Sequence, residues 1–327
     1  MAPAFPGAGG ARVIAGALLQ HVPGCEDGEP PFSQELIGGG KVNHSYLVRT
    51  RRGRFVVRLN ENSSADPGLD RDRELALHTA AAAAGIAPQV VYAAPDRSCL
   101  ITDYVDGRLW TPHYFTRMRD LRSLGQRLRS LHSLTPPAVA RFDPLAAARR
   151  YADIIIRSDP DEAGRIGFLL ASAGEAQARA GSERRGAAIV HSDLHHGNVL
   201  TADRVYFIDW EFAQVADPLL DLACVMTYYP RAVPHGALLL EAAGLADTGT
   251  TPEMLAELTN VFTLLTYLWY RARRVARTVP ATDLQVESAA LRRLLSLAPD
   301  VQPRHTSAAN LRESSGFGKR NGDAAGD

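Results

Sequence analysis

The stretch His191-Ser192-Asp193-Leu194-His195-His196-Gly197-Asn198-Val199-Leu200, with Val205-Tyr206-Phe207-Ile208-Asp209-Trp210-Glu211 behind it, decides how this chain is read. Val199-Leu200 and Val205 to Ile208 are short apolar runs. Thr201-Ala202-Asp203-Arg204 between them reads as the turn of a hairpin. Such a hairpin returns Asp209 to the loop that carries Asp193 and Asn198. Phosphoryl transfer needs few parts: a carboxylate that orients an attacking hydroxyl and accepts its proton, and oxygen ligands that hold magnesium against a nucleotide's phosphates. Asp193 suits the first role, and Asn198 and Asp209 suit the second. His191, Asp193, His195 and Asp209 could also form a metallohydrolase cluster, but that reading leaves the D-x-x-x-x-N spacing unexplained.

Upstream, two β-rich runs flank a polar turn: Tyr46-Leu47-Val48 and Phe55 to Leu59 around Arg51-Arg52-Gly53. Gly38-Gly39-Gly40 precedes them, and glycine lets backbone N–H groups approach phosphate oxygens. Asp70 to Ala84 reads as a helix that ends at Gly85. Val90 to Ala93 and Ser98 to Tyr104 are further strand candidates. After Asp106-Gly107 the character changes. Leu121, Leu124, Leu128 and Leu131 make the stripe of an amphipathic helix, and the rest of the chain is mainly helical. The expected order is a β-rich lobe, a connecting strand and a helix-rich lobe, with a cleft between.

These motifs resemble the aminoglycoside phosphotransferase and choline/ethanolamine kinase superfamily, closest to its choline- and thiamine-kinase-like branch. His191, Asp193 and Asn198 match its H-x-D-x-x-x-x-N loop. Ile208-Asp209-Trp210-Glu211 matches the later metal-binding segment, and Asp217-Pro218-Leu219-Leu220-Asp221-Leu222-Ala223 matches the D-P-x-x-D-L-A that follows. The likeness covers about residues 33–275. It implies an α+β, bilobal protein-kinase-like fold: a small β-rich N-lobe with one main helix, and a larger helical C-lobe. It also implies ATP and Mg2+ as cofactors. By position, Gly39, Gly40 and Asn43 fall in the phosphate loop, and Arg58 takes the place of the nucleotide-binding lysine. Glu74 is then the helix glutamate that pairs with that cation. Thr102, Asp103 and Tyr104 form the inter-lobe linker whose backbone contacts adenine. The implied domains are a flexible 1–10, a nucleotide-binding lobe at 11–104, a helical lobe at 105–302 and a disordered tail at 303–327.

The acceptor is expected to be a small cationic alcohol of the choline, ethanolamine or thiamine kind. Glu211, Trp210 and Trp269 are the expected contacts, because an aromatic face beside an acidic cleft binds a quaternary ammonium. Leu255, Leu258, Phe262 and Leu265, on the same helix as Trp269, read as core. An aminoglycoside, another antibiotic or a sugar is the alternative acceptor, and a nucleotide-binding pseudokinase scaffold is the alternative of another class. Asp221 reads as an anchor of the catalytic loop, and His191 as its support.

Lys+Arg and Asp+Glu both number 36, and this balance argues against nucleic acid as the main partner. Three scattered cysteines, Cys25, Cys99 and Cys224, suggest a reducing compartment. Met1 to Gly10 lacks a basic region followed by an apolar one, so no secretory signal is read. No run has the length and apolarity of a membrane span. A cytoplasmic protein with no membrane partner is the expectation.

Overall fold

In the computed structural model, residues 14–39, 43–60, 68–181, 185–276 and 281–297 are described. The segments 1–10 and 303–327, read as flexible and disordered, lie outside the described residues, as does Gly40 of the glycine run.

Strand β1 (Ser33–Gly39), β2 (Asn43–Thr50) and β3 (Gly53–Asn60) form a meander. The β2–β3 hairpin runs in unbroken register from Asn43↔Asn60 to Thr50↔Gly53. Strands β4 (Val90–Ala93) and β5 (Cys99–Asp103) complete an antiparallel sheet of order β1-β2-β3-β5-β4. Successive side chains of a strand alternate faces. Phe55 and Val57 therefore enter a small core with Val48 and Ile101, while Val56 and Arg58 face the cleft. The short helix α1 (Gly16–Leu19) precedes the sheet. Helix α2 (Arg71–Ala83) starts at Asp70, whose carboxylate accepts the N–H groups of Asp72 and Arg73, both at 3.0 Å. Leu77 and Ala81 on α2 are buried in the larger core, so the helix touches both lobes.

The second lobe is built on helices α3 (Met118–His132), α4 (Pro144–Ser158), α5 (Ala163–Ala180), α6 (Leu219–Tyr228), α7 (Gly236–Ala242), α8 (Pro252–Ala276) and α9 (Ala281–Leu297). The leucine stripe of α3 is completely buried. Helix α8 is the central strut, packed on α4, α5, α6 and α9. Its Leu255, Leu258 and Phe262 lie in the core, as the periodicity implies. Short strands β6 (Arg108–Leu109), β7 (Ala188–Val190), β8 (Val199–Thr201), β9 (Val205–Phe207) and β10 (Gln214–Ala216) sit at the lobe junction. They pair as β6-β8-β9 and β7-β10. Strand β10 is not evident in the sequence, because three residues are too few to show a period.

Where the chain enters the second lobe it crosses strand β8 closely at Gly107. A Cβ there would come within 2.6 Å of Leu200 Cδ1 and 2.9 Å of Thr201 O, so only glycine fits this crossing. The result is a bilobal α+β fold of the protein-kinase-like kind, and its chemistry-bearing residues converge on the cleft between the lobes.

Candidate active site

The loop after β7 is held from below by one carboxylate. Asp221, fully buried on α6, accepts the N–H of His191 (3.0 and 3.2 Å) and of Ser192 (2.8 Å), and meets His132 Nε2 at 2.9 Å. This grip holds Ser192 at φ 62°, a left-handed conformation that non-glycine residues rarely adopt. His191 Nδ1 accepts the Asp193 N–H at 3.3 Å. The hydrogen-bond network therefore assigns its proton to Nε2, which donates to Ile208 O at 3.0 Å. Burial holds the His191 pKa down, so the ring stays neutral. Its place is structural: it ties the loop to the end of β9.

Asp193 projects into the cleft. Its Oδ2 accepts Asn198 Nδ2 at 2.9 Å and its Oδ1 accepts the Tyr228 hydroxyl at 3.1 Å. His195 Nε2 stands 3.6 Å from Oδ2. Asn198 Nδ2 also donates to Asp193 O at 2.9 Å, which commits the amide nitrogen and leaves Asn198 Oδ1 as the side chain's acceptor. Ile208 N–H donates to Asn198 O at 3.0 Å, so the hairpin β8–β9 delivers Asp209 beside the loop. Asp209 itself has φ 62°. Although 39 % of its side chain meets the cleft, desolvation by the surrounding protein outweighs Arg58 and pushes its pKa up to about 6.

The sheet lobe supplies the opposite wall. Arg58 on β3 binds the Glu74 carboxylate of α2 and reaches Asp209 Oδ1 at 3.2 Å. Arg71, not singled out in the sequence, is the second cation. Its Nη1 lies 2.7 Å from Glu74 and 3.3 Å from Glu211, and its Nη2 donates to Asn43 Oδ1 at 2.9 Å. Its i,i+3 spacing to Glu74 was the available signal. Asn43 also donates to Glu211 Oε2 at 2.8 Å. Glu211 therefore spends its carboxylate on the sheet lobe rather than offering it to an acceptor. Burial, with the charge of Asp209, pushes its pKa up to about 7.

A cleft of 1070 Å³ runs between these walls. Thr102, Asp103 and Tyr104 line one end. The N–H groups of Asp103 and Tyr104 already donate to Gln89 O (2.9 Å) and Arg54 O (3.0 Å), so they are not free for a ligand. Val105, next in line, has an N–H with no acceptor among the described residues. Gly39 ends β1 at the edge of the described hairpin, opposite His44.

One expected acceptor contact, Trp210, is corrected by the structure, and a second, Trp269, meets a rival cation. Trp210 is fully buried in the helical-lobe core, donates its indole N–H to Phe207 O at 3.0 Å and stacks edge-on with His191. The left-handed turn at Asp209 points it inward. Trp269 does line the cleft, but the Arg273 guanidinium lies 4.5 Å from its ring centroid, and Phe212 and Tyr270 crowd its edges. A box of Trp210, Trp269 and Glu211 around a cation is not assembled.

For magnesium, the fit rests on the donor set. Among the described residues no group of three or more His, Cys, Asp or Glu could hold a metal. Asn198 and Asp209 both line the cleft, and the Ile208 N–H bond to Asn198 O ties their two segments together, so each can offer a side-chain oxygen there. Magnesium suits such a pair, because it keeps waters and phosphate oxygens for its remaining positions.

A sheet lobe, a helical lobe and this polar floor between them define a phosphotransferase. The chain belongs to the phosphotransferase enzyme family, whose model matches residues 33–258. No curated protein matches it. Among solved structures it is similar to a choline/ethanolamine kinase family protein from Mesorhizobium loti (21% identity, TM-score 0.70, 86% of this chain and 92% of that one). It is also similar to the choline kinase LicA from Streptococcus pneumoniae (16% identity, TM-score 0.68, 83% and 96%). A spectinomycin phosphotransferase in complex with ADP and spectinomycin aligns at 13% identity and TM-score 0.55, over 81% and 90%. At these identities the likeness is one of fold.

Proposed function

We propose that the protein transfers the terminal phosphoryl group of ATP, with magnesium, to a hydroxyl of a small molecule. The observation that carries this reading is Asp193. Its carboxylate stands in the cleft, aligned by Asn198 and Tyr228, on a loop anchored from the core by Asp221. Asp193 orients the acceptor hydroxyl and takes its proton. Asn198 Oδ1 and Asp209 would hold magnesium, which when bound neutralises charge on the phosphate oxygens. Arg58, held by Glu74 and Asp209, sets positive charge beside the phosphates, and the Val105 N–H is the backbone donor for adenine. Gly39 and Gly40 would cover the phosphates, while Asn43 ties that hairpin to Glu211. The complete polar set favours turnover over a scaffold role.

The names of the neighbouring structures support either a choline-like alcohol or an antibiotic as acceptor. Three cysteines with no disulfide support a reducing, cytoplasmic setting. No described helix is long and apolar enough to cross a membrane.

A coupled ADP-release assay over an acceptor panel, with and without magnesium, tests the reading. Asp193→Asn is expected to lower kcat by about 10²- to 10⁴-fold while nucleotide binding persists. Asp209→Ala is expected to abolish magnesium-dependent nucleotide binding. Unchanged turnover in Asp193→Asn would overturn the assignment of the base, and unchanged binding in Asp209→Ala that of the metal.

A further inference from the structure

The end of the cleft away from Thr102–Val105 carries positive charge that no carboxylate pairs with. Arg73 of α2 donates Nε to Ala213 O (3.0 Å) and Nη2 to Gly68 O (2.8 Å), and makes no ion pair among the described residues. The acid that acts on it most is Asp70, at the helix start, and desolvation still dominates. Arg150, exposed on α4, has no hydrogen bond or ion pair among the described residues. Both line the cleft beside Phe142 and Tyr151. The carboxylates that line it are Asp103, at the opposite end, and Asp193, Asp209 and Glu211 at the reaction centre. None belongs to the acceptor wall.

Trp269 adds an independent observation. Arg273 covers its ring, so a quaternary ammonium would have to displace one cation while approaching two others. Its indole N–H is buried without an acceptor among the described residues.

We propose that the acceptor is a hydroxyl compound bearing an anionic group, carboxylate or phosphate, on an apolar or aromatic body. Arg150 and Arg73 read the anion, because a guanidinium fork matches carboxylate and phosphate oxygens. Phe142, Phe212 and Trp269 pack against the body. This rests on the phosphotransferase reading of the cleft and deepens it.

Calorimetry on the full chain, loaded with magnesium and a non-hydrolysable ATP analogue, tests it with three hydroxyl-bearing probes of one body: phenyllactate, 2-hydroxy-3-phenylpropyl phosphate and phenylalaninol. At least one anion is expected to bind about 10-fold more tightly than the amine or better. The order of the two anions tells carboxylate from phosphate. Arg150→Glu, at an exposed position, is expected to abolish the preference while the thermal midpoint holds. Tighter or equal binding of phenylalaninol, no binding of any probe, or an unchanged preference in Arg150→Glu overturns the proposal. Failure of the phosphotransferase reading would show separately, in the Asp193→Asn assay.

Discussion

Asp221→Ala removes the acceptor on which the catalytic loop rests. Three buried donors lose their partner: the N–H groups of His191 and Ser192, and His132 Nε2. Each unsatisfied buried donor costs about 1–3 kcal/mol, so three together cost about 3–9 kcal/mol, with the lower part of that range expected where water enters the gap. That is a large share of a typical domain's total stability. Asp221→Asn separates charge from shape. Its oxygen can still serve the His191 and Ser192 N–H groups, so the loss falls to about 1–2 kcal/mol. Chemical denaturation measures both variants. The kinetic consequence is independent, because a slack loop no longer holds Asp193 in line with the acceptor. A displacement of about 1 Å is enough to lower kcat by about 10²-fold, with the nucleotide KM little changed. If Asp221→Ala cost less than about 1 kcal/mol, or lost stability with kcat intact, the anchoring argument would fail.

Arg58→Met leaves the carboxylates of Glu74 and Asp209 without their shared partner, and breaking such a buried pair costs about 3–5 kcal/mol. Adding Glu74→Gln should restore part of that loss in denaturation experiments, and no recovery would mean the two are not coupled. His78 is buried with Nε2 on Pro88 O at 2.9 Å, and burial lowers its pKa to about 4. A depressed histidine contributes stability that is present above pH 6.5 and is lost as pH falls from 6.5 to about 4, up to about 3 kcal/mol. His78→Gln keeps a donor for Pro88 O, so its thermal midpoint should fall less steeply over that window; an identical slope would exclude His78 as the cause.

Much of the fold is legible because its cues are local. The β2–β3 hairpin announces itself by two apolar runs around Arg51-Arg52-Gly53, and α3 by four leucines on one stripe. The candidate site is legible for the same reason: Asp193 and Asn198 share one loop, and a short hairpin carries Asp209 back to it. Trp210 was misread because spacing does not tell on which side of Asp209 the chain turns. The positive φ of Asp209 sends the indole into the core. Trp269 lines the cleft, but Arg273, one helical turn along α8, covers the ring that a ligand cation would need. That i,i+4 pair was visible in the sequence, but whether it closes on itself or opens to the cleft depends on the neighbouring helices.

What the sequence by itself determined is that Asp193, Asn198 and Asp209 come to one cleft, in that order along the chain, and that a β-rich lobe precedes a helical one. These follow from short-range pattern, where a few dihedral angles decide the outcome. Only the tertiary structure decided how the charges are spent. Glu211 turns to Arg71 and Asn43, the amides of Asp103 and Tyr104 are already occupied, and Arg73 and Arg150, on separate helices, line one cleft with no ion pair among the described residues. Pairing of that kind is set by which side chains packing leaves near each other after desolvation, and residues far apart in sequence carry no local sign of it.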